Sequence, residues 1–508
     1  MPETIRGAIE KNVEERPDKP FLHFEDKTYT YERFNATANR AANAFLGLGV
    51  KKGEKVCLLL GNVPEFLFSF FGITKIGAVC GPINPACKAD EVKYMLNLSD
   101  AVVLVADEAF DGMIESIRGD CPALRRVVLT CEADHATTLS FDRLIESASS
   151  ENPPVEVAPD DVAAIIYTSG TTGNPKGVLL THANYISDSE SIVRHIRMTD
   201  EDRFMCILPL FHVNGQVATT LSPLIAGGSM VLVRRFSAST FFENVDKYKP
   251  TAFSAVPTIY AILLNRPDVG DYDLSSLRFC ICGAAPMPVE VFRRFEEKFN
   301  AKILEGYGLS EGTCASTVNP IGGTRKVGSI GIPLPGQDVE IFDDGDRPLP
   351  AGERGEIVVR GPVVMKGYYK NPEATADALK NGWLHTGDIG YRDEDGYFYI
   401  VGRKKEMIIR GGENIYPKEI EEVLYKHPGI AEAAVCGVPH DFYGEEVKAF
   451  VVLKDRETMT EQEVIDWCRE RLADYKCPKT AAFMKEFPKT PTGKIQKRKL
   501  VETQWQAE

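Results

Sequence analysis

The sequence predicts an α/β protein. A large multi-subdomain N-terminal domain, with α/β sheets plus a β-rich subdomain, leads into a small α+β C-terminal domain. Three observations predict this. Short, apolar, β-branched runs alternate with amphipathic stretches from Lys55 to Phe299. The texture of the chain then shifts twice, near Gly331 and near Arg403. Finally, 508 residues exceed what one hydrophobic core fills, since single cores stop growing at roughly 250–300 residues.

In chain order, KVCLLLG (55–61), AVVLVAD (101–107), RVVLT (126–130), AAIIYT (163–168) and SMVLV (229–233) read as buried strands. PEFLFSFFGITKIG and PVEVFRRFEEKF read as helices between them. The greasiest stretch, Phe66 to Val79, is broken by Lys75 and is too short to span a bilayer, so it reads as a core helix running into a strand. From Gly331 the Pro, Gly and Asp turns of GIPLPGQDVEIFDDGDRPLPAGERGEIVVRG punctuate short strands. After GRKKEMIIRGGENIYP come a helix (KEIEEVLYKHP), two strands (AEAAVCGV, VKAFVVLK) and a helix (EQEVIDWCRERLADY). The boundary falls at Arg403–Glu406, dividing residues 1–402, 403–406 and 407–508.

The net charge of −14 disfavours nucleic acid as a partner. Between Lys476 and Lys499, eight Lys or Arg face one acid, Glu486. That run suits either a solubilising surface or a phosphate-bearing ligand. The twelve cysteines show no zinc-site spacing and read as small buried hydrophobes of a reducing compartment. The N-terminus MPETIRGAIEKNVEERP has no apolar core of a signal peptide, so a cytoplasmic protein is expected.

The strongest local signal is YTSGTTGNPKGV, 167–178. A strand runs into a loop dense in Gly, Ser and Thr, with Lys176 near its end. Backbone N–H groups and hydroxyls of such a loop converge on phosphate oxygens, and the lysine adds charge. It is not a Walker A loop, because the order at its end is Pro175-Lys176-Gly177. Further along lie CGAAP (282–286), EGYGLSE (305–311), WLHTGDIG (383–390), GRKKE (402–406), RGGENIYP (410–417) and TPTGKIQK (490–497).

TSGTTGNPKG resembles the phosphate loop of the adenylate-forming superfamily, which comprises acyl-CoA synthetases, firefly-type luciferases and peptide-synthetase adenylation domains. The other motifs follow in that family's order, and the resemblance extends from residue 28 to residue 500. Within the family the chain looks like an AMP-forming acyl-CoA synthetase of the fatty-acid–CoA ligase kind. The resemblance implies an enzyme that joins a carboxylic acid to ATP as acyl-AMP, releasing pyrophosphate, and then passes the acyl group to coenzyme A. A carrier-protein thiol or another acceptor is the alternative. A protein that merely senses AMP would have no need of Lys494, Glu311 and Asp388, all of which are present.

The same resemblance implies the site. Thr168, Ser169, Gly170, Thr171, Thr172, Gly173 and Lys176 would cradle the phosphates, with Thr168 and Glu311 holding Mg2+. Gly283, Ala284 and Ala285 would line the base beside Glu305, Gly306, Gly308 and Ser310, and Tyr307 would stack on it. Ser310 stands where Thr is commoner and keeps the hydroxyl. Asp388 would accept hydrogen bonds from the ribose hydroxyls, and Arg403 would contact ribose or phosphate. Lys494 matches the catalytic lysine, a point charge set against the transition state in which two anions meet. Lys405 or Glu406 takes the hinge position, and many members have Asp where Glu406 stands. Gly411, Gly412 and Glu413 would line the coenzyme A tunnel after the small domain, mobile in the family, turns.

Phe211, His212, Val213 and Gly308 would line the acyl pocket. His212 reads equally well as a gate, as an assistant to the thiol and as a core histidine. LPLFHVNGQ (208–216) and SAVPTIY (254–260) carry no Arg or Lys, which points to a monocarboxylic acid with an apolar body. A homodimer is compatible with all of this.

Overall fold

The computed structural model of the protein describes residues 2–131, 138–168, 175–285, 287–440, 442–454, 456–489, 495–497 and 499–501. Among these residues the strands form four sheets. Two are large and mostly parallel. One runs in the order Gly367–Tyr368, Lys176–Thr181, Val162–Thr168, Val79–Pro82, Lys55–Leu59, Ala101–Ala106, Arg126–Leu129 and Thr138–Ser140. The other has Lys302–Tyr307, Phe279–Cys282, Ala252–Ala255, Arg203–Cys206 and Ser229–Leu232 at its centre. These central strands are buried over almost every residue. Helices cover both faces of such sheets, so the strands read as continuous apolar runs.

Helix Pro64–Lys75 is buried along its whole length and leads to strand Val79–Pro82, as the sequence predicts. Its N-terminus carries Pro64, where the missing N–H is no loss. Lys75 is fully buried yet ion-paired to Glu10 at 2.8 Å, which makes a cation tolerable in that helix.

The β-rich subdomain is an antiparallel sheet of Asp338–Phe342, Gly355–Arg360, Leu384–Arg392 and Phe398–Arg403. The short turn Lys404–Glu406 then connects to the small domain. There, strands Ile408–Arg410, Glu413–Ile415, Ile430–His440, Gly444–Leu453 and Thr480–Phe483 share one sheet. Helices Pro417–Tyr425 and Glu461–Arg469 close its own core around Ile420, Val435, Val451 and Val464. The last helix is shorter than its sequence pattern predicts. It ends at Arg469, and Asp474–Lys476 forms a separate turn that buries Cys477. All twelve cysteines are unbridged. Among the described residues no helix is long and apolar enough to cross a membrane.

Candidate active site

The segment Lys302–Tyr307 ends a central parallel strand, and the chain beyond it to Ser310 separates two cavities. Ligands bind at the carboxyl ends of such strands, where loops diverge. One cavity, about 220 Å³, is lined by apolar side chains including Ile192, Val213, Ala218, Ile281 and Val318. The other, about 230 Å³, is polar and lies between the two domains. The two share Val256, Ala284, Gly306, Tyr307 and Gly308. Backbone approach is close here: a Cβ on Gly308 would lie 1.8 Å from the Cys314 carbonyl oxygen, so only glycine fits.

The polar cavity gathers eight of the nucleotide residues expected from sequence. Ala284, Ala285, Glu305, Gly306, Tyr307, Gly308, Asp388 and Arg403 line it, whereas Gly283 and Ser310 line the apolar one. Asp388 and Arg403 are register partners on adjacent antiparallel strands. Arg403 Nε lies 2.9 Å from Asp388 Oδ1, and Tyr307 Oη donates to Asp388 Oδ2 at 2.6 Å. Burial, with the Asp388 carboxylate added, pushes the Tyr307 phenol well above its usual range, so it stays a donor. Burial alone would lower the Arg403 guanidinium, but Asp388 and its other anionic neighbours raise it.

Glu305 is almost fully buried. Its Oε1 accepts from Met287 N at 3.2 Å, and its Oε2 has no partner among the described residues. Burial pushes this carboxyl up to about 7.

Thr168 ends its strand opposite Lys176. Residues Ser169, Gly170, Thr171, Thr172 and Gly173 lie outside the described residues. Lys176 Nζ sits 4.6 Å from the centre of the Tyr368 ring, and Tyr368 Oη donates to Glu311 Oε1 at 2.8 Å. Tyr368 also pairs with Val178 on the next strand, which draws Glu311 toward the strand that Lys176 begins. The sequence reading missed Tyr368. Its signal was the aromatic pair in GYYKNP, 367–372, which no motif reading weighed.

His212 lines the apolar cavity and precedes the helical turn Val213–Gln216. Burial pulls its imidazole down to about 4, so it is neutral at physiological pH. Val213 and Gly308 also line this cavity. Phe211 does not: its ring lies 4.4 Å from that of His212 and packs back against the core.

The small domain contributes Pro417, Lys418, Glu421, Ala433, Ile495 and Lys497 to the polar cavity. Lys494 lies outside the described residues, but Ile495 beside it lines the cavity. Lys497 Nζ pairs with Glu421 at 2.7 Å and Glu406 at 3.3 Å. Burial would lower this ammonium, and the two carboxylates more than offset that. Lys418 Nζ donates to the Ile400 carbonyl at 2.8 Å, tying the domains together. In sequence, Lys497 closes the TPTGKIQK motif but was weighed only as one cation of a basic run, and Lys418 reads as one charge on a helix. Lys476 and Lys489 of the same run are paired to Glu419 and Glu432.

Lys405 is exposed within the connecting turn. Gly411, Gly412 and Glu413 are exposed at a hairpin whose two glycines have φ of 59° and 92°, and they line neither cavity. This structure therefore brings Ile495 and Lys497 to the cavity and leaves the Gly411–Glu413 hairpin outside it.

Comparison with known proteins follows the same outline. The family described as "AMP-binding enzyme" matches residues 9–369, and "AMP-binding enzyme C-terminal domain" matches residues 419–494. A long-chain-fatty-acid–CoA ligase of Bacillus subtilis is 37% identical, with 98% of this chain and 94% of that protein covered. An oxalate–CoA ligase of Arabidopsis thaliana is 36% identical, with 98% of each covered. The crystal structure of the anthranilate CoA ligase AuaEII with anthranoyl-AMP superimposes at a TM-score of 0.91 with 33% identity, over 99% of this chain and 98% of that one.

Proposed function

Since the chain belongs to the AMP-binding enzyme family, within the adenylate-forming superfamily, and is an AMP-forming acid–CoA ligase, we propose that its acid is a monocarboxylate with an apolar body. One observation carries this: among the described residues no Arg or Lys lines the apolar cavity. A second carboxylate buried there would lack a partner, which is costly. ATP and coenzyme A are the co-substrates.

The cavities suggest how the first step is set up. The acid's body fills the apolar cavity, with its carboxylate toward Gly308 and Ser310 at the shared wall. ATP lies in the polar cavity, with Tyr307 against the base and Asp388 and Arg403 at the ribose. The unpartnered Glu305 oxygen lies deep in that cavity and suits a base bearing an amino donor. The phosphates then run toward Lys176 and the loop at 169–174. The acid's oxygen attacks the α-phosphorus, the bond to the bridging oxygen breaks, and pyrophosphate leaves with the electron pair. Lys494 offsets the charge that builds as two anions meet.

Glu311 and Thr168 offer a hard carboxylate and a hydroxyl beside the phosphate loop, and Tyr368 orients the carboxylate. That oxygen-only donor set fits Mg2+, which takes one or two carboxylates together with substrate phosphates. When bound there, the ion would neutralise triphosphate charge.

For the second step the small domain turns about Lys405, withdrawing Lys494 and bringing Gly411, Gly412 and Glu413 in with coenzyme A. The exposed hairpin and the cavity-lining Ile495 fit the arrangement that precedes this turn. His212, neutral at the acid cavity, serves as an uncharged gate. The domain limits 1–402, 403–406 and 407–508 belong to the same reading, as does a cytoplasmic setting.

The test is pyrophosphate release from MgATP across short, medium, branched, cyclic and aromatic monocarboxylates and matched dicarboxylates. Turnover with one monocarboxylate group is expected. A dicarboxylate outperforming every monocarboxylate overturns the proposal.

A further inference from the structure

The turn Lys404–Glu406 separates the two domains, so a contact between residues on either side of it does not survive a large rotation of the small domain. Lys418 makes such a contact. It stands in the first turn of helix Pro417–Tyr425, and its Nζ donates to the Ile400 carbonyl at 2.8 Å. Ile400 lies on Phe398–Arg403, the outermost strand of the β-rich sheet, whose pairing shifts register between Ile389 and Gly390 opposite it. An outer strand presents carbonyls that no neighbouring strand takes up, and a bulge re-aims them. The helix packs on this strand. Beside the lysine, Tyr416 meets the strand at Gly402, where a Cβ would lie 3.4 Å from Tyr416 Cδ1, and the Arg354 guanidinium of the large domain sits 5.8 Å from the centre of the Tyr416 ring.

Helix stability does not account for this lysine. A cation in the first turn opposes the helix dipole. Its ion-pair partner on the helix, Glu422 at 3.7 Å, stands C-terminal to it, which is the weaker order for such a pair. Glu422 is 60% exposed, whereas the Lys418 side chain is only 15% exposed. What Lys418 gains is the Ile400 carbonyl, and a charged donor makes the stronger kind of hydrogen bond.

A second link carries this contact onward. Glu421, one turn along the same helix, pairs with Lys497 at 2.7 Å, and Lys497 and Ile495 both line the nucleotide cavity. Lys418 on Ile400 fixes the helix to the large domain, and Glu421 on Lys497 fixes the segment beside Lys494 to the helix. Rotation of the small domain breaks the first link. The second lies wholly within that domain and travels with it.

We infer that Lys418 is a latch that holds the small domain over the nucleotide cavity, a positioning residue for the adenylation half-reaction. The inference rests on the reading of this arrangement as the one that adenylates. A competing role has its own signature. Lys418 lines the nucleotide cavity and acts on the buried Glu305 carboxyl, which burial raises and the Lys418 charge lowers. A nucleotide contact shows as lost affinity for ATP, a latch as lost rate.

Lys418→Met tests the latch, because it keeps the apolar stem and removes the charged donor. Acid-dependent pyrophosphate release without coenzyme A should slow roughly tenfold. Kd for ATP should stay within about threefold of the parent's. Thioester formation from synthetic acyl-AMP and coenzyme A should keep the parental rate or exceed it. Without any ligand, amide hydrogen exchange should quicken several-fold in strand Phe398–Arg403 and in residues 416–422. Retained protection around Val435 and Val451, in the small domain's core, checks that the variant is folded. Unchanged exchange in the strand and the helix start overturns the latch, and so does an ATP affinity that falls as far as the rate. A variant that adenylates normally but loses thioester formation overturns both the latch and the reading of this arrangement. Unchanged exchange with both half-reactions intact overturns the latch alone. The exchange readout needs no acid and no nucleotide, so it stands whichever acid the enzyme takes.

Discussion

The two cavities meet at one stretch of backbone yet are built on opposite principles. The acid side is enclosed by the large domain alone, its lining is apolar, and its one imidazole is neutral. The nucleotide side is polar and is completed by the small domain through Lys418, Glu421, Ile495 and Lys497. A closed apolar cavity selects by shape and persists. A cleft shared between domains can be taken apart when its charge is no longer wanted. The difference teaches that selectivity and chemistry can be perturbed separately, although the two cavities meet at Gly308.

The largest test of that separation is Lys494→Ala. Pyrophosphate release should drop about 10²–10³-fold, while thioester formation from synthetic acyl-AMP stays within a few-fold. Equal losses in both half-reactions would break the comparison at its centre. Next comes Asp388→Ala, which strips the shared acceptor from Tyr307 and Arg403. Leaving the buried Tyr307 donor unmatched costs about 1–3 kcal/mol, and the half-exposed Arg403 adds little, so KM for ATP should rise roughly 10–10²-fold with KM for the acid little changed. Ala218→Leu makes the mirror-image change. Overfilling the acid cavity should raise KM for the acid about tenfold and leave KM for ATP within about twofold. An ATP effect as large would mean that the cavities are mechanically one.

The smallest effect concerns pH. Burial holds His212 near 4, so its protonation begins only as pH falls toward that value. His212→Asn should therefore leave the pH dependence of acid affinity unchanged between about pH 5 and pH 7. A limb near 6.5 that vanishes in the variant would show the imidazole titrating in water-like surroundings.

Residue spacing made much of this legible. Apolar runs such as AVVLVA and AAIIYT announced buried parallel strands because such strands have no solvent face. The motifs around Tyr307, Asp388 and Lys176 named most of the nucleotide side, since phosphate and ribose demand particular donors at particular turns. Tyr368 and Lys418 were not legible in this way. Each acts through a partner far off in the chain, Glu311 and Ile400 respectively.

By itself, then, the sequence determined the α/β architecture, the two-domain division and the family of chemistry. All three follow from local periodicity and from motifs whose residues are neighbours in the chain. Only the tertiary structure decided that His212 lines the apolar cavity and is held uncharged there. It also decided that Ile495 and Lys497, rather than the Gly411–Glu413 hairpin, line the cavity between the domains. Burial, protonation and domain placement are set by which distant groups exclude water from one another, and a linear pattern does not encode that.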